Sequence, residues 1–300
     1  MELTILGTAA MVPTKDRNVS ATYLDYKGEG ILFDCGEGSQ RQMNLAGINR
    51  NKVNKILLTH WHGDHIGGII GLLQTISNKE SEKNIEIFGP KETKERFNNL
   101  MKASVFDNHL KIKVHELPDT NTPKKCFENN DYIIEYISLE HSCPTIGFSF
   151  IEKDKIKINK AYLKKHKIRD GPHLKKLQEG KSITYKGEKI DVKEAATVVK
   201  GRKITYALDS IQTLNIVQLA QNADVLICES TYLNKQEEKA EQYQHLTAKQ
   251  AAYIATQANA KKLVLTHFSQ RYKNNEELEE EVKSGFDNSA CAYDLMKMRI

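Results

Sequence analysis

The chain has 300 residues, of which 39% are hydrophobic and 28% are charged. This length allows a sizeable core in one large domain, or in one domain with an insertion, and the composition is that of an ordinary globular protein. The longest apolar run, residues 66–73, is far too short to span a bilayer, and residues 1–7 lack the basic region of a signal peptide, so we expect no membrane association.

Short β-rich runs alternate with helical patterns along the chain. Strands are predicted at residues 2–6, 22–26, 31–33, 56–58, 85–88, 133–138, 146–150, 204–207, 225–228 and 263–265. Helices are predicted at residues 38–45, 65–76, 91–102, 214–221 and 247–258. Because strands and helices interleave from end to end, the pattern predicts a layered α/β fold in a single domain over residues 1–300.

The positive charge is concentrated in one segment. Residues 152–189 contain thirteen Lys or Arg and five Asp or Glu, a charge of +8, which leaves −3 for the rest of a chain whose net charge is +5. Such a concentration favours binding to a polyanion, and the alternative is a solvated insertion that keeps the protein soluble. Since this segment is interrupted by Gly171–Pro172, Gly180 and Gly187, we expect a projecting arm without a core of its own.

The five cysteines are Cys35, Cys126, Cys143, Cys228 and Cys291. They form no CxxC pair and their number is odd. We therefore expect buried free thiols in a protein of the reducing cytoplasm.

A dense group of metal-binding side chains follows the strand predicted at 56–58. His60, His62, Asp64 and His65 place three imidazoles and a carboxylate within six residues, at a predicted strand-to-helix turn. These are typical zinc ligands, and one zinc does not accept four ligands from such a short turn. The spacing therefore predicts two metal ions that share the turn and take further ligands from elsewhere.

The further ligands are expected at the ends of other strands. His141, Asp209 and His267 each follow a predicted strand and precede polar or turn residues. They lie on the same rim of the fold if the strands run in the same direction. Their number and position complete two coordination shells.

This pattern resembles the metallo-β-lactamase superfamily, in which a HxHxDH motif is followed by a lone His, a lone Asp and a lone His at strand ends. The resemblance implies a four-layer αβ/βα sandwich with the metals at one edge. It also implies the ligands, with His60, His62 and His141 on one zinc, Asp64, His65 and His267 on the other, and Asp209 between them. Asp34, in the segment FDCGEG, matches an acidic motif that supports this site without binding metal.

Several motifs narrow the resemblance to the ribonuclease Z (tRNase Z) family in its short form. PTKDRN at 13–18 matches the PxKxRN loop of that family, so Lys15, Arg17 and Asn18 are expected to bind substrate. ESTY at 229–232, HLT at 245–247 and THFSQRY at 266–272 match further motifs. The basic arm at 152–189, with Gly171–Pro172, stands where the family carries its tRNA-binding exosite. Departures such as Trp61 in the metal motif remove no ligand.

The resemblance implies an enzyme that uses two Zn²⁺ per chain to remove the 3′ trailer from precursor tRNA. The tRNA keeps a 3′-OH and the trailer keeps a 5′-phosphate. Asp64 would accept the proton of the attacking water, and His245, held by Glu229, would protonate the leaving O3′. By spacing alone, His245 fits equally well as a residue that precedes a helix with Thr247 at its N-cap.

The resemblance also implies a homodimer in which the arm of one subunit serves the active site of the other. Lysines of the arm, including Lys164 and Lys165, would contact RNA phosphates without reading sequence. Two alternatives remain open. One is another phosphodiesterase or small-molecule hydrolase of the same fold; the other, an RNA-binding protein with a degenerate site, is disfavoured because every ligand position holds a ligand-capable residue.

Overall fold

Two large β-sheets form the centre of the structure, a computed structural model that describes residues 1–77 and 82–300. The described strands are β1 (Glu2–Gly7), β2 (Ala21–Tyr26), β3 (Glu29–Phe33), β4 (Val53–Leu57), β5 (Lys83–Gly89), β6 (Leu110–Glu116), β7 (Lys124–Glu128), β8 (Tyr132–Leu139), β9 (Thr145–Glu152), β10 (Lys155–Ile158), β11 (Ile183–Tyr185), β12 (Glu188–Ile190), β13 (Ala196–Val199), β14 (Lys203–Ala207), β15 (Val225–Glu229), β16 (Leu263–Thr266), β17 (Ser289–Cys291) and β18 (Lys297–Arg299). The described α-helices are α1 (Ser39–Ala46), α2 (Gly63–Ile66), α3 (Ile69–Ser77), α4 (Thr93–Lys102), α5 (Lys160–Lys165), α6 (His173–Gln178), α7 (Val192–Ala195), α8 (Leu214–Ala220), α9 (Glu237–Tyr243), α10 (Ala248–Gln257) and α11 (Glu276–Gly285). Short 3₁₀ turns lie at Arg50–Lys52 and Asn234–Gln236.

Each large sheet contains seven described strands. The first has the order β18-β1-β2-β3-β4-β5-β6, and the second has the order β17-β16-β15-β14-β9-β8-β7. Strands β3 to β6 run parallel, as do strands β14 to β17. Because parallel strands end at the same edge of a sheet, the loops after β14 and β16 lie at the same edge of the second sheet, on either side of the end of β15.

The two sheets lie between layers of helices. Helices α1, α3 and α4 pack on the first sheet through residues such as Leu72 and Phe97, and α8, α10 and α11 pack on the second through residues such as Ile216 and Ile254. Between the sheets, the rings of Phe33 and Tyr206 lie 5.2 Å apart, centroid to centroid. The four-layer α/β fold predicted from the sequence is confirmed, and so is each predicted strand.

The single helix predicted at 65–76 is wrong, because the structure divides it into α2 and α3. The break lies at Gly67 and Gly68, where the backbone N–H of Gly68 donates to the carbonyl of Cys35 over 2.8 Å. A Cβ at Gly68 would lie 2.3 Å from the carbonyl oxygen of Gly36. The break therefore lets the loop after β3 pack directly against the predicted metal loop.

The chain divides into two compact units. The first comprises Met1–Phe127, Ile134–Phe150 and Lys203–Ile300, and contains the core of the four layers. The second comprises Glu128–Ile133 and Ile151–Arg202, so it extends beyond the predicted arm of 152–189.

The second unit has a small apolar cluster of its own. Its members are Leu163, Ile168, Leu177, Ile183, Ile190 and Ala195. Around the cluster lie α5, α6, α7 and the two-stranded sheets β10-β13 and β11-β12. The expectation of an arm without a core is therefore wrong: the apolar residues are scattered in sequence among polar and charged residues, and only folding brings them together.

All five cysteines are free thiols, as predicted, but only Cys35, Cys228 and Cys291 are buried, whereas Cys126 and Cys143 are partly exposed. Among the described helices, none combines the length and the apolar character that crossing a bilayer requires.

Candidate metal centre and active site

The first set of ligand atoms comes from the loop after β4, the loop after β8 and the loop after β14. The ligand atoms of His60, His62, His141 and Asp209 lie within 4.8 Å of one another. Nε2 of His60 is 2.9 Å from Nδ1 of His62, and Oδ2 of Asp209 is 3.6 Å from Nε2 of His60 and 3.7 Å from Nε2 of His141. A tetrahedral zinc with bonds of about 2.0–2.1 Å separates its ligand atoms by about 3.3–3.4 Å. These spacings therefore suit a zinc-sized ion.

The second set combines Asp64 and His65 of α2 with His267, which follows β16. Oδ2 of Asp64 is 3.4 Å from Nε2 of His65 and 3.5 Å from Nε2 of His267. The other oxygen of Asp209, Oδ1, lies 3.6 Å from Nε2 of His65 and 3.2 Å from Nε2 of His267. Asp209 thus presents one carboxylate oxygen to each set.

Unpaired polar atoms show that the second set suits a metal ion. Nε2 of His65, Nε2 of His267 and Oδ1 of Asp209 are buried and have no hydrogen-bond partner within the described parts of the chain. Buried polar atoms are rarely left unpaired, and three that converge on one point are explained by a shared cation. The donor set of imidazoles and carboxylates is the one that zinc prefers.

The protonation state of His60, in the first set, also favours metal binding. Burial, together with the neighbouring imidazoles of His65, His62 and His141, lowers the pKa of His60 well below its ordinary value. His60 is therefore neutral at physiological pH, as a histidine must be to bind a metal.

Asp34 supports the site by hydrogen bonds to the metal loop. Its Oδ2 lies 2.8 Å from Nδ1 of His65, and its Oδ1 accepts the backbone N–H of Thr59 over 2.8 Å. These contacts turn Nε2 of His65 toward the metal position and fix the start of the metal loop. Asp34 thus has the supporting position that the superfamily resemblance implies.

Asp34, Asp209 and His267 share a strained backbone conformation. Their φ angles are 55°, 53° and 60°, in the left-handed region that non-glycine residues rarely adopt. Each such residue costs on the order of 1–3 kcal/mol, and strain of this kind concentrates at functional sites. The backbone turns at these points direct the three side chains toward the edge of the sheets.

Glu229, at the end of β15, is fully buried and holds His245. Nδ1 of His245 lies 3.1 Å from Oε2 of Glu229 and 3.2 Å from Oε1. Burial alone would raise the pKa of Glu229, but the charge of His245 lowers it to about 2. Burial likewise opposes the charge on His245, but Glu229 raises its pKa to about 9. The pair is therefore ionised at neutral pH, with a protonated imidazole available as an acid.

His245 both precedes a capped helix and lies at the site, so the two roles considered for it from the sequence are compatible. Thr247 is the N-cap of α10 and forms a capping box with Gln250, so the helix does begin just after His245. At the same time, His245 lies close to Asp209 and His267. The cap fixes the loop that carries the imidazole, which makes the structural role a means of positioning the side chain.

The site lies at the base of an open cleft of about 730 Å³. The backbone N–H of Met11 donates to Oδ2 of Asp64 over 2.8 Å, and so holds the carboxylate at the floor of the cleft. Arg271 stands at the side with its guanidinium 4.9 Å from the ring centre of Tyr232. Met11 lies outside every motif of the sequence, and Arg271 belongs to the THFSQRY motif without a role that the sequence alone indicates.

Comparison with known proteins identifies the family. A family model described as the metallo-beta-lactamase superfamily matches residues 14–122. The ribonuclease Z of Nanoarchaeum equitans (strain Kin4-M) is 38% identical over 90% of this chain and 84% of that protein. The ribonuclease Z of Methanothermobacter thermautotrophicus is 36% identical over 100% of this chain and 97% of that protein. The chain belongs to the ribonuclease Z family.

Solved structures agree with the family assignment. The crystal structure of human tRNase Z, short form, is 30% identical to this chain with a TM-score of 0.75, and the match covers 100% of this chain and 99% of the human one. The metallo-beta-lactamase fold protein YhfI of Bacillus subtilis is 18% identical with a TM-score of 0.71 over 99% and 98% of the two chains, and shows the shared fold alone.

The PxKxRN loop of this ribonuclease Z family member is held mainly by internal contacts. Arg17 donates from Nη1 to the carbonyl of Tyr272 and from Nη2 to Oδ1 of Asn275, both over 2.7 Å. Asn18 donates from Nδ2 to the carbonyl of Glu37 over 2.7 Å. These donors order the loop, so a direct contact of Arg17 or Asn18 with substrate stays a prediction, as it does for Lys15, whose side chain is exposed.

The predicted substrate residues of the arm all lie in the second unit. Lys164 and Lys165 are exposed in the last turn of α5, and Pro172, preceded by Gly171, is the N-cap of α6. Their contact with RNA stays a prediction.

Proposed function

We propose that this chain is a metal-dependent tRNA 3′ endonuclease that hydrolyses the phosphodiester bond between a tRNA and its 3′ trailer. The tRNA keeps a 3′-OH and the trailer a 5′-phosphate. The observation that carries the proposal is the geometry around Asp209, whose two oxygens each face one ligand set, while His245 faces the same cleft. Membership in the ribonuclease Z family supports precursor tRNA as the substrate.

We infer that the two ligand sets hold two Zn²⁺ per chain. His60, His62 and His141 would bind one, Asp64, His65 and His267 the other, and Asp209 both. When bound by these residues, two divalent ions would supply a water molecule of lowered pKa and electrostatic stabilisation of the charge on the scissile phosphate. The supporting observation is the set of buried, unpaired ligand atoms described above.

Asp64 and His245 account for the proton movements. The oxygen of water forms a bond to phosphorus, and the bond between phosphorus and O3′ breaks. Asp64, fixed by the N–H of Met11, takes up the proton that the water loses. His245 gives its proton to O3′, and the ionised Glu229 stabilises the imidazolium before the transfer. The phosphate remains on the trailer.

The second unit supplies the affinity for RNA in this proposal. The segment 152–189 carries a charge of +8, and Lys164 and Lys165 are exposed on α5. Lysines bind phosphates without reading bases, which suits an enzyme that must accept tRNAs of different sequence by their shape. We therefore assign the tRNA-binding exosite to this unit.

Incubation of the metal-loaded protein with a trailer-bearing tRNA tests the proposed function. We expect a single cut at the start of the trailer, with the end groups given above, and far slower hydrolysis of an unstructured RNA that contains the same junction. Chelator-treated protein is the control for metal dependence. Equal rates on both RNAs would support the alternative of a general phosphodiesterase of this fold.

We also propose that the chain acts in the cytoplasm as a homodimer, with the second unit of one subunit serving the active site of the other. A mixture of two defective proteins tests this arrangement: one lacks the second unit, and the other carries His245→Ala. If the arrangement holds, mixed dimers recover precursor cleavage, whereas each protein alone stays defective. No recovery in demonstrated mixed dimers would contradict it.

A further inference from the structure

Thr231 lies between the Glu229–His245 pair and a metal ligand. Its hydroxyl oxygen is 2.6 Å from Oε2 of Glu229 and 3.0 Å from Nδ1 of His267. Thr231 is only 4% exposed to solvent, so bulk water does not substitute for either contact. Thr231 is therefore placed to transmit the orientation of one group to the other.

The direction of the two hydrogen bonds follows from the chemistry of the groups. A threonine hydroxyl donates one hydrogen and accepts others, whereas an ionised carboxylate only accepts. The 2.6 Å contact with Glu229 has the length of a charge-assisted O–H···O⁻ bond. The carbonyl of His267 is a second acceptor at 3.1 Å, but it is neutral and more distant. The hydroxyl hydrogen therefore goes to Glu229, and the hydroxyl oxygen accepts from Nδ1–H of His267.

These directions select one tautomer of His267. With its proton on Nδ1, the imidazole has a free electron pair on Nε2, the form that binds a metal. Nε2 of His267 lies 3.2 Å from Oδ1 of Asp209 and 3.5 Å from Oδ2 of Asp64, and it has no hydrogen-bond partner within the described chain. Thr231 thus turns the unprotonated nitrogen toward the second ligand set.

We propose that Thr231 is a positioning residue that couples Glu229 to His267, so that one buried carboxylate orients both the proton donor and a metal ligand. This inference rests on the proposed function in its assignment of the metal ligands and of His245. Glu229 keeps other partners besides Thr231: it accepts the N–H of Ser210 over 2.8 Å and that of Leu246 over 3.1 Å, and it holds His245. Loss of the Thr231 hydroxyl therefore releases His267 while His245 stays in place.

The chain offers matched variants for a test. Thr231→Val keeps the branched shape and removes the hydroxyl, and Thr231→Ser keeps the hydroxyl and removes a methyl group. Ser230→Ala is the control, because Ser230 is fully buried one residue earlier and its hydroxyl has no hydrogen-bond partner among the described residues. Each full-length variant is stripped of metal and titrated with Co²⁺, with binding followed through the visible absorption bands of the ion.

We expect Thr231→Val to weaken one of the two binding steps by about 10–100-fold, the usual effect of removing a partner of a metal-bound histidine, and to leave the other step unchanged. Thr231→Ser and Ser230→Ala should titrate like the wild type. At saturating Co²⁺, hydrolysis of a chromogenic phosphodiester by Thr231→Val should recover most of the wild-type rate, because the metal site is then refilled.

Three results would overturn the role of Thr231. These are a wild-type titration for Thr231→Val, equal weakening by Thr231→Ser, and equal weakening of both steps, which indicates a merely structural effect. Binding of a single Co²⁺ by the wild-type protein would refute the two-metal proposal. The role of Thr231 would then stand only if Thr231→Val weakens the binding of that single ion. The Co²⁺ titrations contain no RNA and do not depend on the substrate. Failure of the wild-type protein to cut precursor tRNA would therefore refute the proposed function and leave the role of Thr231 standing.

Discussion

Glu229 occupies Nδ1 of His245 and raises the pKa of its imidazole to about 9, which makes the ring a cation at neutral pH. A proton donor of this kind contributes to turnover without contributing to metal affinity. We expect His245→Ala to lower the rate of precursor cleavage by about 10²–10⁴-fold, with metal content and tRNA affinity close to those of the wild type. Turnover, metal analysis and a binding titration check the three quantities.

The matched control for this variant is His109→Ala, since His109 is exposed and lies outside the site. It should behave like the wild type in all three measurements. If His245→Ala instead loses one metal ion, His245 is a ligand and the assignment of the proton donor is wrong.

Arg17 is expected to act on the stability of the protein, because its guanidinium holds the PxKxRN loop against residues 272–275. Besides its two hydrogen bonds, it stands 5.4 Å from the ring centre of Phe268. Arg17→Ala should lower the free energy of unfolding by about 1–3 kcal/mol, because the carbonyl of Tyr272 and the amide of Asn275 lose their partner. Lys15→Ala, at an exposed position of the same loop, should change it by less than about 0.5 kcal/mol.

Urea unfolding measures both variants, and a binding titration with precursor tRNA follows. An Arg17→Ala protein of wild-type stability that binds tRNA poorly would show that Arg17 contacts the RNA directly. The internal role derived from its hydrogen bonds would then be wrong.

The metal-binding residues were predictable from the sequence through local spacing, strand-end positions and the family resemblance, whereas side-chain contacts that form only on folding were not. His60, His62, Asp64 and His65 lie within one turn, so their chemistry was visible without the fold. Thr231 reaches His267 across 36 positions of the chain, and no local pattern indicates that contact. The left-handed conformation of Asp209 and His267 was equally hidden, because neither is a glycine.

At the scale of elements, the break between α2 and α3 brings the loop after β3 against the metal loop. Gly68→Ala would place a Cβ 2.3 Å from the carbonyl oxygen of Gly36 and 3.1 Å from that of Cys35. Since both obstacles are backbone atoms, relief requires a shift of the loop that carries Asp34. We expect a loss of about 1–3 kcal/mol in the free energy of unfolding, accompanied by weaker metal binding.

Gly71→Ala is the control for this substitution. Gly71 lies within α3, where an added Cβ meets only Oε1 of Gln40 at 3.6 Å, an ordinary contact. Alanine should stabilise the helix there by about 0.5–1 kcal/mol. Thermal unfolding and Co²⁺ titration of both variants give the comparison, and equal effects of the two substitutions would contradict a close approach at Gly68.

The second unit shows why element-level prediction was incomplete. Strands with continuous apolar runs, such as β15 and β16, were predicted because each is buried on both faces. The core of the second unit instead uses scattered apolar residues, such as Leu163 and Ile168, in a segment rich in charged residues. Such a pattern has no clear period of 2 or 3.6, so the sequence favoured an irregular arm.

At the scale of the whole molecule, the metal ligands belong to the first unit and the concentrated positive charge to the second. This division allows the larger segment of the second unit, within residues 151–202, to be removed, while Glu128–Ile133 stay in place. The backbone N–H of Glu152 donates to the carbonyl of Arg202 over 2.8 Å, so the chain enters and leaves the 151–202 segment at neighbouring points. A short glycine link between residues 153 and 201 can replace the segment 154–200, whereas an excision of 155–176 alone would split its apolar cluster.

The excision of 154–200 should separate RNA affinity from chemistry. We expect tRNA binding to weaken strongly and to depend less on salt, because each lost phosphate contact removes on the order of 0.9 from the log–log salt slope on a duplex. Hydrolysis of a chromogenic phosphodiester should survive, because every predicted metal ligand remains.

A milder variant is the pair Lys164→Ala and Lys165→Ala, which should lower both the tRNA affinity and the salt slope. The control is the pair Lys102→Ala and Lys239→Ala, which replaces two exposed lysines of the first unit and should change neither quantity. Loss of both activities would show that the first unit needs the second for its stability, and precursor cleavage at the wild-type rate after excision would show that the second unit is a solvated insertion.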